Sequence, residues 1–253
     1  MEINALAIYW IGILFFVVAL AYSSVGLGGG STYTASMVIL GFGLQSIPMI
    51  SLTLNLLVTS IGSYHFIRYR HAKWRLIMPF LLSSIPFAYL GGTLQISVDI
   101  FKWLLLLSLI LVVLRIYLWK EVAFRLPFGN RGKIIFAVST GAVMGLLAGI
   151  VGIGGGIFLV PLILISGLGT AKEAAACGAI FIWLNSMAGL AARLQYNFVD
   201  LTPYIPLIIA VVLGGAVGSY LGAAKLSAPV MEKTLGAIVL LAAVLMGKSM
   251  LFA

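Results

Sequence analysis

The sequence predicts an all-α polytopic membrane protein of two homologous repeats, each of about five helical segments, and three observations predict it. Of 253 residues, 62% are hydrophobic and 8% charged, with a mean hydropathy of +1.19. A soluble domain carries about 25% charge, so the solvent for this surface is lipid. The apolar residues fall in runs, several near the roughly 20 residues a spanning helix needs, and none alternates as a membrane strand does. A glycine-rich hexapeptide occurs at matching places in the two halves.

The runs occupy about 5–24, 31–40, 48–67, 76–95 and 100–119, then 134–151, 157–166, 173–192, 203–224 and 231–251. The N-terminus, MEINALAIYW, has an acidic residue and no basic stretch, so it reads as a first membrane helix and not a cleaved signal peptide. Arg68, Arg70, Lys73 and Arg75 place the loop between the third and fourth runs in the cytoplasm. The polar stretch 120–133, with Lys120, Glu121, Arg125, Pro127, Arg131 and Lys133, reads as a second cytoplasmic loop. It links an N-terminal repeat, 1–119, to a C-terminal one, 134–253. The net charge of +9 is thereby accounted for by topology, and nucleic acid is not an expected partner. The single cysteine, Cys177, lies in an apolar run and reads as a small packing residue; no intrachain disulfide can form.

The duplication is read from an ordered series. Val25-Gly26-Leu27-Gly28-Gly29-Gly30 returns 126 positions later as Val151-Gly152-Ile153-Gly154-Gly155-Gly156. At the same spacing Gly41-Phe42-Gly43 returns as Gly167-Leu168-Gly169, Ser60 as Ser186, and Thr59 is matched by Asn185. Leu90-Gly91 and Lys102 correspond to Leu221-Gly222 and Lys233 at a spacing of 131. The short runs 31–40 and 157–166 decide the symmetry. Ten residues of helix cover about 15 Å, half the hydrocarbon core. If each counts as a crossing, the repeats are inverted with both termini outside; if each is re-entrant, the repeats are parallel. Inverted repeats are the expectation, because midplane sites in such transporters use broken helices.

The glycine clusters carry the functional signal. Such density breaks a helix and brings backbone close to whatever lies beside it. Broken backbone in a membrane persists only where it is buried in protein or lines a cavity. Each cluster opens a short helix, whose free N–H groups and positive dipole end suit an anion. No Lys-Ser/Thr follows either cluster, so a nucleotide-phosphate loop is not indicated. The plain alternative is helix–helix packing through small residues.

Polar residues in the apolar runs complete the candidate substrate site: Gly28, Gly29, Gly30, Ser31, Thr32, Asn55, Thr59, Gly154, Gly155, Gly156, Asn185 and Ser186. Tyr22, Ser23, Ser24 and Tyr33 lie beside the first cluster. A buried amide needs a partner, so Asn55 and Asn185 read either as ligand donors or as interhelical hydrogen bonds. His65 is a candidate proton relay or an interfacial histidine, and His71 belongs to the basic loop. Lys172-Glu173 and Glu232-Lys233 read as interfacial anchors, and Arg115 as a snorkelling side chain. Arg193 either faces solvent or draws an anion towards the site. No Asp or Glu lies at an apparent midplane, which speaks against carboxylate-based cation transport. No catalytic motif, metal-ligand cluster or cofactor motif is present in the sequence.

Paired G-x-G-G-G motifs, the second continuing as Gly156-Ile157-Phe158-Leu159-Val160-Pro161-Leu162, resemble the sulfite exporter TauE/SafE family of membrane permeases. The resemblance runs from about Ile11 to Met250 and includes Asn185-Ser186 and Gly218-x-x-x-Gly222. Pro161 stands where the first half has Ala35, so the two half-helices need not bend or end alike. The family implies outward transport of sulfite, of sulfonates such as sulfoacetate, or of related organosulfur anions. The expectation is a secondary transporter of the inner membrane working by alternating access, with an anion channel or a non-transporting scaffold as alternatives. Its partners would be the anion, the bilayer and, as a candidate, a second copy of the chain.

A cysteine introduced as Ala72→Cys or Asn130→Cys should react with a membrane-impermeant thiol reagent only from the cytoplasmic face. Labelling from the periplasm would contradict the orientation.

Overall fold

A computed structural model describes residues 5–43, 45–94, 100, 103, 106, 107, 110, 129–196 and 199–251. Nine α-helices lie within the described residues: α1 Ala5–Ser24, α2 Gly30–Ile39, α3 Ile47–Arg68, α4 Trp74–Thr93, α5 Asn130–Val151, α6 Gly156–Ile165, α7 Ala171–Arg193, α8 Ile205–Ala224 and α9 Ala228–Leu251. Most of the expected segment 100–119, with Lys102 and Arg115, and the linker residues Lys120, Glu121, Arg125 and Pro127 lie outside the described residues. Helix α5 begins at Asn130, inside the stretch read as a linker, so Arg131 and Lys133 sit on its first turn.

Local chemistry sets several ends. Pro48 and Pro206 occupy the first turns of α3 and α8, where a missing N–H costs nothing. Thr170 and Glu173 form a reciprocal capping box at the start of α7. Glycines with positive φ follow α1, α2, α5 and α6: Gly26, Gly41, Gly152 and Gly167. Helices α3, α4, α5, α7 and α8 are long and apolar enough to cross a membrane. They and α1 expose apolar side chains such as Trp10, Val17, Leu82, Ile135 and Leu213. The all-helical backbone keeps its hydrogen bonds internal, as lipid requires.

The long helices α3 and α7 cross at the centre. Leu52 near the start of α3 meets Gly189 near the end of α7, and Gly62 near the end of α3 meets Ala179 near the start of α7, so the two run antiparallel. The Lys73 ammonium pairs with Glu173 at 2.6 Å, and the Ala223 carbonyl lies 2.9 Å from His71 Nε2. These contacts put the end of α3, the starts of α4 and α7, and the end of α8 together at one end of the molecule. Helix α1 packs along α8 and α4 along α5; α3 also touches α8 as α7 touches α4; α2 lies on α3 and α6 on α7. Exchanging the two halves maps these packings onto one another.

The two outer pairs are parallel and are held by glycine rows spaced four apart. On α5, Gly141, Gly145 and Gly149 face Phe80, Ser84 and Ala88 of α4; on α8, Gly214, Gly218 and Gly222 face Phe16, Leu20 and Ser24 of α1. A β-carbon on Gly145, Gly149, Gly218 or Gly222 would fall on a carbonyl oxygen of the facing helix. Apolar attraction cannot hold helices together in lipid, so close backbone packing through small residues does so.

Replacing Gly145 or Gly218 by alanine should therefore destabilise the fold by about 1–3 kcal/mol, the usual range for overpacking. Gly12→Ala is the control. Its β-carbon would lie 3.9 Å from the nearest atom, an ordinary contact, and alanine gains about 0.5–1 kcal/mol over glycine in a helix. Detergent melting temperatures should fall for the first two variants and hold or rise for the third.

Candidate functional site

Between α1 and α2, and again between α5 and α6, the chain leaves helical geometry inside the protein. Gly26 and Gly29 have φ of 77° and 89°; Gly152, Gly154 and Gly155 have 76°, 73° and 75°. A side chain in this left-handed region costs roughly 1–2 kcal/mol per residue, so five such positions demand glycine. At the first break the Leu27 N–H donates to the Tyr22 carbonyl at 2.9 Å, closing α1. Gly29 and Gly155 are the N-caps of α2 and α6. Both short helices have ten residues, so Pro161 does not set the length of α6 against α2. The Thr32 and Phe158 N–H groups turn back to the carbonyls of these caps at 3.0 and 3.1 Å, and the N–H groups of Gly30, Ser31, Gly156 and Ile157 have no intrahelical acceptor.

Each break rests on the long helices of both halves. A β-carbon on Gly26 would fall on the Ala175 carbonyl at the start of α7, and one on Gly152 would meet Pro48 at the start of α3. Further along, Gly28 and Gly30 close on the Asn55 amide of α3, with Thr59 one turn beyond. On the opposite side Gly154 and Gly156 close on Ile182 of α7, with Ser186 one turn beyond. The β-position of Gly154 also lies 3.4 Å from Asn55 Nδ2, so Asn55 sits where the two breaks meet.

Asn55 is fully buried, and neither its oxygen nor its nitrogen has a hydrogen-bond partner. The Ser186 hydroxyl and the Tyr33 hydroxyl are likewise buried without partners. The Tyr33 ring lies against Phe15 with centroids 4.8 Å apart, and its oxygen is beside Gly29. An unmatched buried polar group costs about 1–3 kcal/mol; three around one crossing are what a place for a hydrogen-bonding ligand requires. Of the twelve candidate residues all but Thr32 are buried, so the crossing is closed to solvent.

The other expected residues divide. Ser31 and Thr32 hydroxyls contact the Tyr22 hydroxyl at 3.2 and 2.7 Å, tying α2 to α1, and Thr59 donates to the Asn55 carbonyl at 2.6 Å. Asn185 donates to Ser84 Oγ on α4 at 3.1 Å and to the Phe181 carbonyl at 2.8 Å, an interhelical bond directed away from the break. The register matching Thr59 with Asn185 is thus not the one the contacts follow: Ser186 takes the place opposite Thr59. One residue of helix is a rotation of about 100°, enough to turn a side chain from one neighbour to another. His65 lies ten residues beyond Asn55 on α3, its Nδ1 2.8 Å from the Ser219 hydroxyl of α8; Ser219 donates to the Gly215 carbonyl, so His65 donates to Ser219. Arg193 donates to the Gly149 and Ile150 carbonyls, both at 2.8 Å, and so caps the end of α5. Tyr33 and Ile182 were missed as members of the site. The signal for Ile182 was its place four residues before Ser186, as Asn55 stands four before Thr59.

The arrangement offers neutral donors and two helix starts, and among the described residues no carboxylate is one of the nearest neighbours of a break glycine. Among the described residues no group of three or more His, Cys, Asp or Glu could hold a metal ion. Neutral donors at positive helix ends suit an oxyanion.

The chain matches the family model described as Sulfite exporter TauE/SafE over residues 11–247. It is 37% identical over 224 residues to a probable membrane transporter protein of Sinorhizobium fredii, covering 86% of this chain and 89% of that one. A probable membrane transporter protein of Methanocaldococcus jannaschii is 26% identical over 209 residues, covering 78% of each. No solved structure matches.

Space and backbone strain can be separated at two glycines. Gly28 lacks positive φ but has the Asn55 amide at its β-position, whereas Gly41 has φ of 74° with nothing within 4 Å. Gly41→Ala should lower stability by about 1–2 kcal/mol and leave stabilisation by bound anion unchanged. Gly28→Ala should abolish that stabilisation, read as the melting-temperature increment on adding ligand.

Proposed function

The chain belongs to the sulfite exporter TauE/SafE family and is a multi-pass membrane transporter, and from this we propose that it exports small sulfur-containing anions across the inner membrane by alternating access. Sulfite, sulfoacetate and related organosulfonates are the candidate substrates. The observation that carries the reading is the unpartnered Asn55 amide at the meeting of two broken segments. The anion binds there, accepting hydrogen bonds from Asn55, from the first two N–H groups of α2 and α6, and from Tyr33 and Ser186. Both helix dipoles present their positive ends to it. Charge-assisted bonds of this kind contribute about 1.5–3 kcal/mol each, enough to displace hydration without a buried cation that would hold the anion too tightly for release.

The two halves act as inverted repeats, with the Arg68–Arg75 end in the cytoplasm and both termini outside. The antiparallel course of α3 and α7 supports this, as do the parallel pairs α1/α8 and α4/α5, which join one half to the other. At the proposed cytoplasmic end the Lys73–Glu173 ion pair and the His71 contact to the Ala223 carbonyl bridge the halves, and Lys172 donates to the same carbonyl from within the second half. Towards the other end Gly92 of α4 lies against Gly189 and Ala192 of α7. Closure at both ends fits an occluded state between two open ones, and each opening must break one set of contacts. The sequence holds no nucleotide-binding motif, so an ion gradient or the anion's own gradient drives the cycle.

Asn55→Leu separates function from fold. If the amide serves the ligand, leucine of similar volume removes an unmatched polar group, and the melting temperature should hold or rise by the equivalent of about 1–3 kcal/mol. Counterflow of labelled sulfite or sulfonate in proteoliposomes should meanwhile fall at least tenfold, the loss expected for about 1.4 kcal/mol or more. Undiminished saturable counterflow by the folded variant would remove Asn55 from the site, and a lowered melting temperature would make it structural.

A further inference from the structure

The two breaks have matching geometry and opposite chemistry. Where Gly28 and Gly30 close on the amide of Asn55, Gly154 and Gly156 close on the aliphatic side chain of Ile182. The contrast continues outward. In the first half the Thr34 hydroxyl donates to Ser51 at 3.0 Å, and Ser51 donates to the Gly30 carbonyl at 3.2 Å. In the second, Val160 packs on Gly178, and Phe181 lies against the Gly155 position. Tyr33, with its free hydroxyl, belongs to the first side. The crossing is therefore lined by hydrogen-bonding groups at the start of α2 and by hydrocarbon at the start of α6, with the unpartnered Ser186 hydroxyl one turn beyond Ile182.

A bare inorganic oxyanion carries acceptors on every side. Set against Ile182 it would lose hydration on that face and gain nothing in return. An anion with a hydrocarbon body loses no hydrogen bonds there and buries apolar surface instead. We propose that the site is polarised: its ligand is an oxyanion on a short hydrocarbon body, the charged head held by Asn55 at the start of α2 and the body lying on Ile182 at the start of α6. Ile182 is thus the residue that sets specificity. This rests on the anion-transport reading of the same crossing, and deepens it by fixing which end of the ligand faces which half.

The test is a ligand series on the intact protein in detergent: sulfite, methanesulfonate, ethanesulfonate and propanesulfonate, with affinities from concentration-dependent thermal stabilisation. Among the alkanesulfonates, which share one head and one charge, affinity should rise about fourfold for each methylene that reaches the apolar side, and sulfite should bind more weakly than ethanesulfonate. Ile182→Asn, which makes the second side resemble the first, should flatten the series, while Ile182→Val should keep its order. Sulfite binding as tightly as ethanesulfonate would overturn the polarised site and leave the transport reading standing. An unchanged chain-length preference in folded Ile182→Asn would do the same. Failure of the wild-type protein to bind any member would overturn both. Should Ile182→Asn not fold, the wild-type and Ile182→Val series decide the matter alone.

Discussion

The structure depends on burying broken backbone in lipid. Each glycine break leaves the first two N–H groups of a short helix without intrahelical acceptors, and hydrocarbon offers none. The protein answers with the antiparallel crossing of α3 and α7, which covers both breaks at once: α7 receives Gly26 and Gly154, α3 receives Gly28, Gly30 and Gly152. Neither half could shield its own break with the contacts seen here, because each touches the long helix of the other half. The repeats are therefore interdependent in fold, and the place where they depend on each other most is also the place where polar groups are left unmatched.

Two kinds of glycine serve this arrangement, for different physical reasons. Those at Gly26, Gly29, Gly152, Gly154 and Gly155 are set by conformation, since their φ angles exclude side chains at low cost. Those in the rows Gly141-Gly145-Gly149 and Gly214-Gly218-Gly222 are ordinary helical residues set by distance, since carbonyls of the facing helix occupy the space a β-carbon would need. The first kind opens the backbone and the second clamps the frame around it. The outer pairs α1/α8 and α4/α5 each join one half to the other, so the halves are clamped together along both flanks.

The two halves are unlike where they meet. Asn55 and Ile182 occupy equivalent places beside equivalent glycines, yet one costs free energy unless it finds a partner and the other is content in hydrocarbon. A symmetric pair of donors would hold a symmetric ligand in either direction. A polar side facing an apolar one gives the crossing a polar end and an apolar end.

The sequence by itself determined the class of the protein. The apolar runs, the doubled hexapeptide and the sparse charge specified membrane helices and the places of both breaks, because these follow from composition and from what lipid permits any backbone to do. Helix starts were legible to within a few residues except at α5, where the polar stretch continues into the first turn. Only the tertiary structure decided which polar residues face the breaks. Asn55 and Asn185 are alike in sequence context, both amides in long apolar runs, yet one meets the glycines unpartnered while the other is bonded to Ser84 across a helix interface. The difference is one of rotation: a single residue turns a helical side chain by about 100°, and the crossing of α3 on α7, set by packing between distant segments, fixes which direction is inward.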